Sequence, residues 1–364
     1  MSTAALSWVS RWRAAAEAWH HARVLIPCTS EQPGPPTLYF HTPDLDRPCG
    51  GVLMMYRHVD LLNAAGVRAT VLHQRRGFRC SWFEHDTRVT DATAVRIGPA
   101  DVLVITEPDV DLVCALRTGV RHVVFNQSGH LTWKRSPERV ARHYAASPDL
   151  AGVITVSAHA AELLRHACAQ VDVRHVHPAI DAGLFHPGDG PRSREICYMP
   201  RRGGTDAALV LQLLRCRGAL DGWQVTPLDG LSHAQVAERL RGARIFLHLP
   251  YLEGFGLPAA EAMACGNYVV GYHGYGGREF FRPPSSCAVE TGDVLGVARA
   301  VEDAIRHDSV DPLWCRERGL AAARHILQTY TAARERRDVL AAYTGLLGLP
   351  AGAPLPAGTG AGVH

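Results

Sequence analysis

From Thr37 onward the chain alternates short apolar runs with longer stretches whose apolar residues recur at helical spacing, the pattern of strands and helices taking turns. "TLYF", the helical "VLMMYRHVDLLNAAG" closed by Gly66, and "VRATVLH" predict one βαβ unit. Strands are predicted again at "DVLVIT" (101–106), "HVVFN" (122–126) and "GVITVS" (152–157). Such alternation favours a parallel sheet covered on both faces. Over 180–195, "IDAGLFHPGDGPRSRE", glycine, proline and charge displace the periodicity, so a linker is expected there. A second series runs through "ICYM", "WQVTPL", "ARIFLHL", "NYVVGY" and "CAVE" and ends in one long helical stretch, "LAAARHILQTYTAARERRDVLAAYTGLL".

Two doubly wound lobes result, expected at 23–187 and 188–325, with a helix at 326–348. Residues 1–22 hold an amphipathic helix (5–22) bearing Trp8, Trp12, Trp19, Arg11 and Arg13, suited either to peripheral membrane contact or to docking on the protein surface. The tail 349–364 is Pro/Ala/Gly-rich and lacks the bulky apolar residues that would offset ordering entropy, so it is expected to be flexible.

Composition narrows the class. A chain of 364 residues with 47% hydrophobic and 20% charged residues suits two globular domains. The formal charge of +3 gives no bulk attraction for nucleic acid. Lys134 is the single lysine, so a phosphate-binding cation must be an arginine. The 10 cysteines are dispersed with no CxxC pair, unlike a zinc ribbon or a disulfide framework. No run approaches the roughly 20 apolar residues of a membrane span, and no signal-peptide core is visible, so a cytoplasmic protein is expected.

The candidate chemistry gathers in "EGFGLPAAEAMACG" (253–266). Pro258 suits the first turn of a helix and Gly266 its C-terminal cap. The Gly-Phe-Gly turn would then feed a helix N-terminus, which attracts anions such as phosphate. Gly254 and Gly256 leave the backbone of Phe255 and Leu257 open to close approach. Glu253 and Glu261 flank this phosphate-friendly segment and suit neutral hydroxyls of a sugar and a ribose, which a carboxylate binds through charge-assisted hydrogen bonds. Taken singly, each feature also fits a surface turn or a solvated helix acid.

In residues and spacing this segment, followed by "YVVGY", resembles the E-x7-E signature of retaining, nucleotide-sugar-dependent glycosyltransferases with the GT-B fold, the group that includes sucrose-phosphate synthase and bacterial mannosyltransferases. Weaker likeness extends to the Gly-Gly step at Gly50 and Gly51, "VITVSAHAAELL", "IDAGLFHP" and "VETGD". The resemblance implies two Rossmann-like lobes facing a central cleft, with the C-terminal helix returning to the first lobe. It implies transfer of a sugar from a nucleoside diphosphate to a small-molecule, glycan or lipid-linked acceptor, without a metal or other cofactor. Glu253 would contact the donor sugar and Glu261 its ribose. Arg201 and Arg202 in "YMPRRGGTD" would neutralise the diphosphate, although they are adjacent where the family pattern spaces its basic pair. His130, in "FNQSGHLTW", would touch the donor sugar from the acceptor-side lobe. Gly276 and Gly277, in "HGYGGREFF", would offer amides to the donor, and Glu279 would cap a helix or bind.

Two other readings stay open. Asp44 with Asp46, or Asp109 with Asp111, form Asp-x-Asp pairs of the kind that hold a metal in single-domain glycosyltransferases. A catalytically silent paralogue that binds nucleotide or glycan would also retain the site. P-loop and dinucleotide-binding readings lack their glycine motifs after any predicted strand.

Overall fold

The computed structural model describes residues 26–110, 119–134, 137–201 and 203–348. Asp111, Arg202, the segment 5–22 and the tail 349–364 lie outside the described residues.

Two parallel sheets organise the chain. The first contains β1 (Leu38–His41), β2 (Ala69–His73), β3 (Val89–Asp91), β4 (Val102–Thr106), β5 (His122–Asn126), β6 (Leu150–Thr155) and β7 (Val173–His175), in the order β3-β2-β1-β4-β5-β6-β7. Its helices are α1 (Gly50–Ala64), α2 (Pro137–Ala146) and α3 (Ala158–Ala167). The second sheet contains β8 (Glu195–Tyr198), β9 (Gln224–Pro227), β10 (Ile245–His248), β11 (Tyr268–Tyr272) and β12 (Ser286–Val289), in the order β12-β11-β10-β8-β9. Around it run α4 (Gly204–Cys216), α5 (His233–Gly242), α6 (Leu257–Ala264), α7 (Val294–Val310) and α8 (Trp314–Thr329), and the chain ends in α9 (Ala332–Leu347), which bonds through Asp338 to His177 and through Glu335 to the Ala179 N–H, beyond β7. This is the doubly wound α/β architecture expected from the alternation of elements.

The central strands read as apolar runs because helices cover both faces of a parallel sheet. β5 and β11 are buried at every position. In the second sheet Ile196, Ile245, Leu247 and Val270 pack with Val210 and Leu214 of α4 and with Val297 and Val301 of α7. Two strands have no counterpart in the apolar pattern. β3 and β7 are three residues long, lie at the two edges of the first sheet and are part-exposed, so burial imposes no readable period on them.

The terminal helical stretch is two helices rather than one. Tyr330 leaves helical geometry at φ −104°, ψ 60°, and the Thr331 hydroxyl accepts from the Arg334 N–H at 3.2 Å, restarting the chain as α9. A side-chain cap of this kind competes with helix continuation, which strong propensity on either side conceals.

By packing, the chain groups into two compact units. The first runs to Phe125 and takes in Leu131–Val153 and the chain from Leu346; the second comprises Asn126–His130 and Ile154–Gly345. In the first, Arg121 donates to the carbonyls of Leu346 and Leu347 at the end of α9, at 2.9 and 3.2 Å. Gly50 and Gly51 form the first turn of α1 rather than a loop before it.

Buried histidines make the fold acid-sensitive. Burial, with the nearby Arg57, pushes His58 down to about 3, and burial with the neighbouring His122 pushes His143 down to about 4. A histidine with a folded value below its unfolded value of about 6.5 contributes stability that is fully present above that pH and is lost as pH falls toward the folded value. The urea midpoint should therefore drop steadily from pH 7 to pH 5. A midpoint constant over that window would contradict this.

Candidate active site

In the second sheet β8 turns toward β9 on one side, while the chain continues through β10 on the other. The carboxyl ends of β8 and β10 thus border a topological switch point, where open α/β sheets leave a crevice for ligands. Arg201 follows β8, exposed in the turn before α4. The segment Tyr251–Gly256 follows β10 and opens α6. The two strands pair directly, with Tyr198 opposite Leu247, so these connections are neighbours.

The glycine turn has the helix-opening geometry expected of it. Gly256 caps α6 at φ +100°, Pro258 is in the first turn, and Gly266 ends the helix at φ +82°. The amides of Gly256 and Leu257 have no intrahelical acceptor because they precede the first helical hydrogen bond. Gly254 is also required to be glycine by its packing. A Cβ there would overlap the carbonyl oxygen of Gln127, and one at Gly276 would overlap the carbonyl of Gly254. Three backbone segments, following β5, β10 and β11, are stacked with no room for a side chain between them.

Glu253 is 8% exposed, its N–H donates to Gly274 at 2.8 Å, and it forms an isolated parallel bridge with Tyr275. Phe255 is buried against the rings of Phe280 and Tyr330, which pins the turn from beneath. Glu261 is half-buried in α6. Burial pushes the Cys265 thiol up to about 12, and the nearby Glu261 charge adds to that rise.

Tyr275 is the only described non-glycine residue with positive φ, at φ 66°, ψ −52°. With the Gly276 N–H donating to the Gly274 carbonyl at 2.9 Å, this is a γ-turn of the rare, strained hand. Its ring stacks on His159 at 5.2 Å, meets His130 at 5.2 Å and lies under the Arg278 guanidinium at 4.8 Å. His130 Nε2 is 3.2 Å from His159 Nε2, so one ring donates and the other accepts. Burial lowers both imidazoles, and for His159 the facing His130 and Arg278 lower it further. His130 follows β5 of the first sheet and by packing groups with the second unit.

Gly276 and Gly277 lie in the short turn Gly276–Glu279. Glu279 acts as a cap: it accepts from the Ala158 N–H at the start of α3, at 2.9 Å, and from the Tyr330 hydroxyl at 2.8 Å. Sequence reasoning missed Tyr275, His159 and Tyr330. Only their proximity in three dimensions connects them.

Of the Asp-x-Asp candidates, Asp44, Asp46 and Asp109 are engaged in local hydrogen bonds. Asp44 accepts from His73 and from the N–H groups of Gln74 and Arg75; Asp46 accepts from the N–H and hydroxyl of Ser81. Asp109 is buried against His41 at 3.1 Å and the Thr106 hydroxyl at 2.9 Å.

Strain at Tyr275 is measurable. Tyr275→Ala and Tyr275→Gly lose the same ring contacts, but only glycine relaxes the backbone, so the glycine variant should be the more stable by about 1–2 kcal/mol in urea unfolding. Equal stabilities would remove the strain. Gly254→Ala should destabilise by about 1–3 kcal/mol, the range for overpacking, and a variant as stable as the parent would show that the segments can part.

Comparison with known proteins places the fold. Residues 221–312 match the family described as glycosyl transferases group 1. No curated protein matches the sequence at a significant level. Among solved structures, sucrose-phosphate synthase from Thermosynechococcus elongatus is similar at TM-score 0.66 and 17% identity, over 86% of this chain and 100% of that one. Anabaena HepE, in complex with UDP and glucose, is similar at TM-score 0.62 and 12% identity, over 84% and 99%. The lipopolysaccharide outer core galactosyltransferase WaaB is similar at TM-score 0.59 and 10% identity, over 85% and 99%. The chain thus has a GT-B-type fold, and residues 221–312 within it are similar to glycosyl transferases group 1.

Proposed function

We propose that this protein transfers a sugar from a nucleoside-diphosphate sugar to a hydroxyl-bearing acceptor. The observation that carries the reading is the placement of the glycine turn, Glu253 and Arg201 on neighbouring strand ends at the switch point of the second sheet. A diphosphate there meets the dipole and open amides at the start of α6 and the guanidinium of Arg201, with Arg202, next in sequence, the second candidate cation. Glu261 accepts ribose hydroxyls. Glu253, with its backbone held by Gly274, faces the donor sugar together with His130.

Cleaving the sugar–phosphate bond leaves positive charge on the anomeric carbon and negative charge on the departing diphosphate. Stabilising that leaving group is the main way this chain can lower the barrier, and cations with preorganised amides do so without reorganisation. We further propose retention of anomeric configuration by front-side attack, the leaving phosphate accepting the acceptor's proton, with no metal required. The acceptor is a small molecule, a glycan or a lipid-linked saccharide, bound in the first unit. UDP-sugars are the first donors to screen, because HepE, a fold neighbour, binds UDP with glucose.

Glu261→Ala and the double variant Arg201→Ala/Arg202→Ala should each weaken donor use, every lost charge-assisted contact costing about 1.5–3 kcal/mol. Steady-state kinetics and calorimetric nucleotide binding measure this. Unchanged donor binding and turnover in both variants would reject the assignment. Full activity after chelation is expected, and loss restored by Mn²⁺ or Mg²⁺ would favour a metal-dependent reaction. Nucleotide binding without release of nucleoside diphosphate from any donor and acceptor would favour the silent paralogue.

A further inference from the structure

We propose that His175, His177 and Glu279 form a binding site for a zinc-class divalent metal ion, apart from the residues assigned to donor binding. One ligating atom from each side chain lies within 4.8 Å of the other two. His175 and His177 are two residues apart at the end of β7, and their rings approach to 4.0 Å between centroids. In an extended chain this spacing puts both side chains on one face. Glu279 comes from the turn after β11 and supplies the negative charge.

The surrounding hydrogen bonds show which histidine nitrogens carry lone pairs that a metal could use once Arg334 is displaced. Arg334 donates to His177 Nε2 at 2.9 Å, and arginine cannot accept, so that nitrogen carries a lone pair and Nδ1 carries the proton it donates to Asp338 at 2.7 Å. A carboxylate behind the far nitrogen of a ligating histidine is the usual outer support of such sites. His175 Nε2 is buried with no hydrogen-bond partner, while its ring also faces the Val156 backbone. An orphaned nitrogen of this kind calls for a ligand. Each Glu279 oxygen already accepts one hydrogen bond, from Ala158 or Tyr330, and retains a second lone pair.

Two imidazoles and one carboxylate suit zinc and its first-row neighbours, not calcium or magnesium, which prefer oxygen. Ligands on tetrahedral zinc lie roughly 3.3 Å apart given bonds of about 2.0–2.1 Å, so the three side chains must draw inward. The Arg334 guanidinium holds the cation position beside His177 Nε2, and its side chain, about one-third exposed at 32%, can swing out. A bound ion would tie β7, the turn after β11 and, through Asp338, α9.

The test is calorimetric titration of the full, reduced chain with Zn²⁺. We expect one tight ion per chain, weakened at least tenfold in His175→Phe, which removes the unpartnered nitrogen and keeps the ring. Arg334→Ala, which removes the competing cation, should bind more tightly than the parent and gain a larger rise in melting temperature with Zn²⁺. Co²⁺ should give a visible spectrum without intense thiolate charge-transfer bands, which separates this site from the cysteines. Absence of Zn²⁺ binding in the parent, equal affinity in His175→Phe, weaker binding in Arg334→Ala or a thiolate spectrum would each overturn the proposal.

Discussion

The candidate site depends on a steric constraint between backbones. The Gln127 carbonyl fills the space a Gly254 side chain would occupy, and the Gly254 carbonyl fills that of a Gly276 side chain. With the three segments stacked this closely, Glu253 is bridged to Tyr275 and the helix-opening turn is fixed beside it. The packing also accounts for Tyr275, whose γ-turn costs on the order of 1–3 kcal/mol unless the surroundings impose it. Its ring is held among His159, His130 and Arg278, so strain and side-chain contacts meet at one residue next to the acid.

A second layer holds this arrangement in place. Glu279 joins the start of α3 to Tyr330, and Tyr330 lies where α8 and α9 part. Phe255 rests on Phe280 and the same tyrosine. The break in the terminal helix thus lies beside the glycine turn, with Tyr330 at the break giving its hydroxyl to Glu279 and its ring to Phe255.

Much of the fold was legible in the sequence because parallel strands under two helical layers are continuous apolar runs, as in "YVVGY" and "HVVFN". β3 and β7 were not, since short edge strands bury too little to show a period. The helix break was hidden because its cause is one hydroxyl, on Thr331, between two segments of strong helix formers. At the site, Pro258, Gly256 and Gly266 announced the start and end of α6 through their backbone preferences. The role of Gly254 was not readable, because its neighbour Gln127 is distant in sequence. His130 stood out by its place after a strand and by resemblance, while its partners His159 and Tyr275 became visible when the strand ends came together. The Asp-x-Asp pairs show the converse. A pattern that suggests metal binding is, for Asp44 and Asp46, a means of holding loop amides.

The central claim is that the strand ends of the second sheet, stacked through Gly254 and opening α6, hold a nucleoside diphosphate. Hydrogen–deuterium exchange with and without a nucleoside diphosphate shown by calorimetry to bind tests it most directly. The account predicts slowed exchange at residues 251–261 and 273–279, together with the turn after β8. Binding that leaves those amides unchanged and protects another region would contradict it.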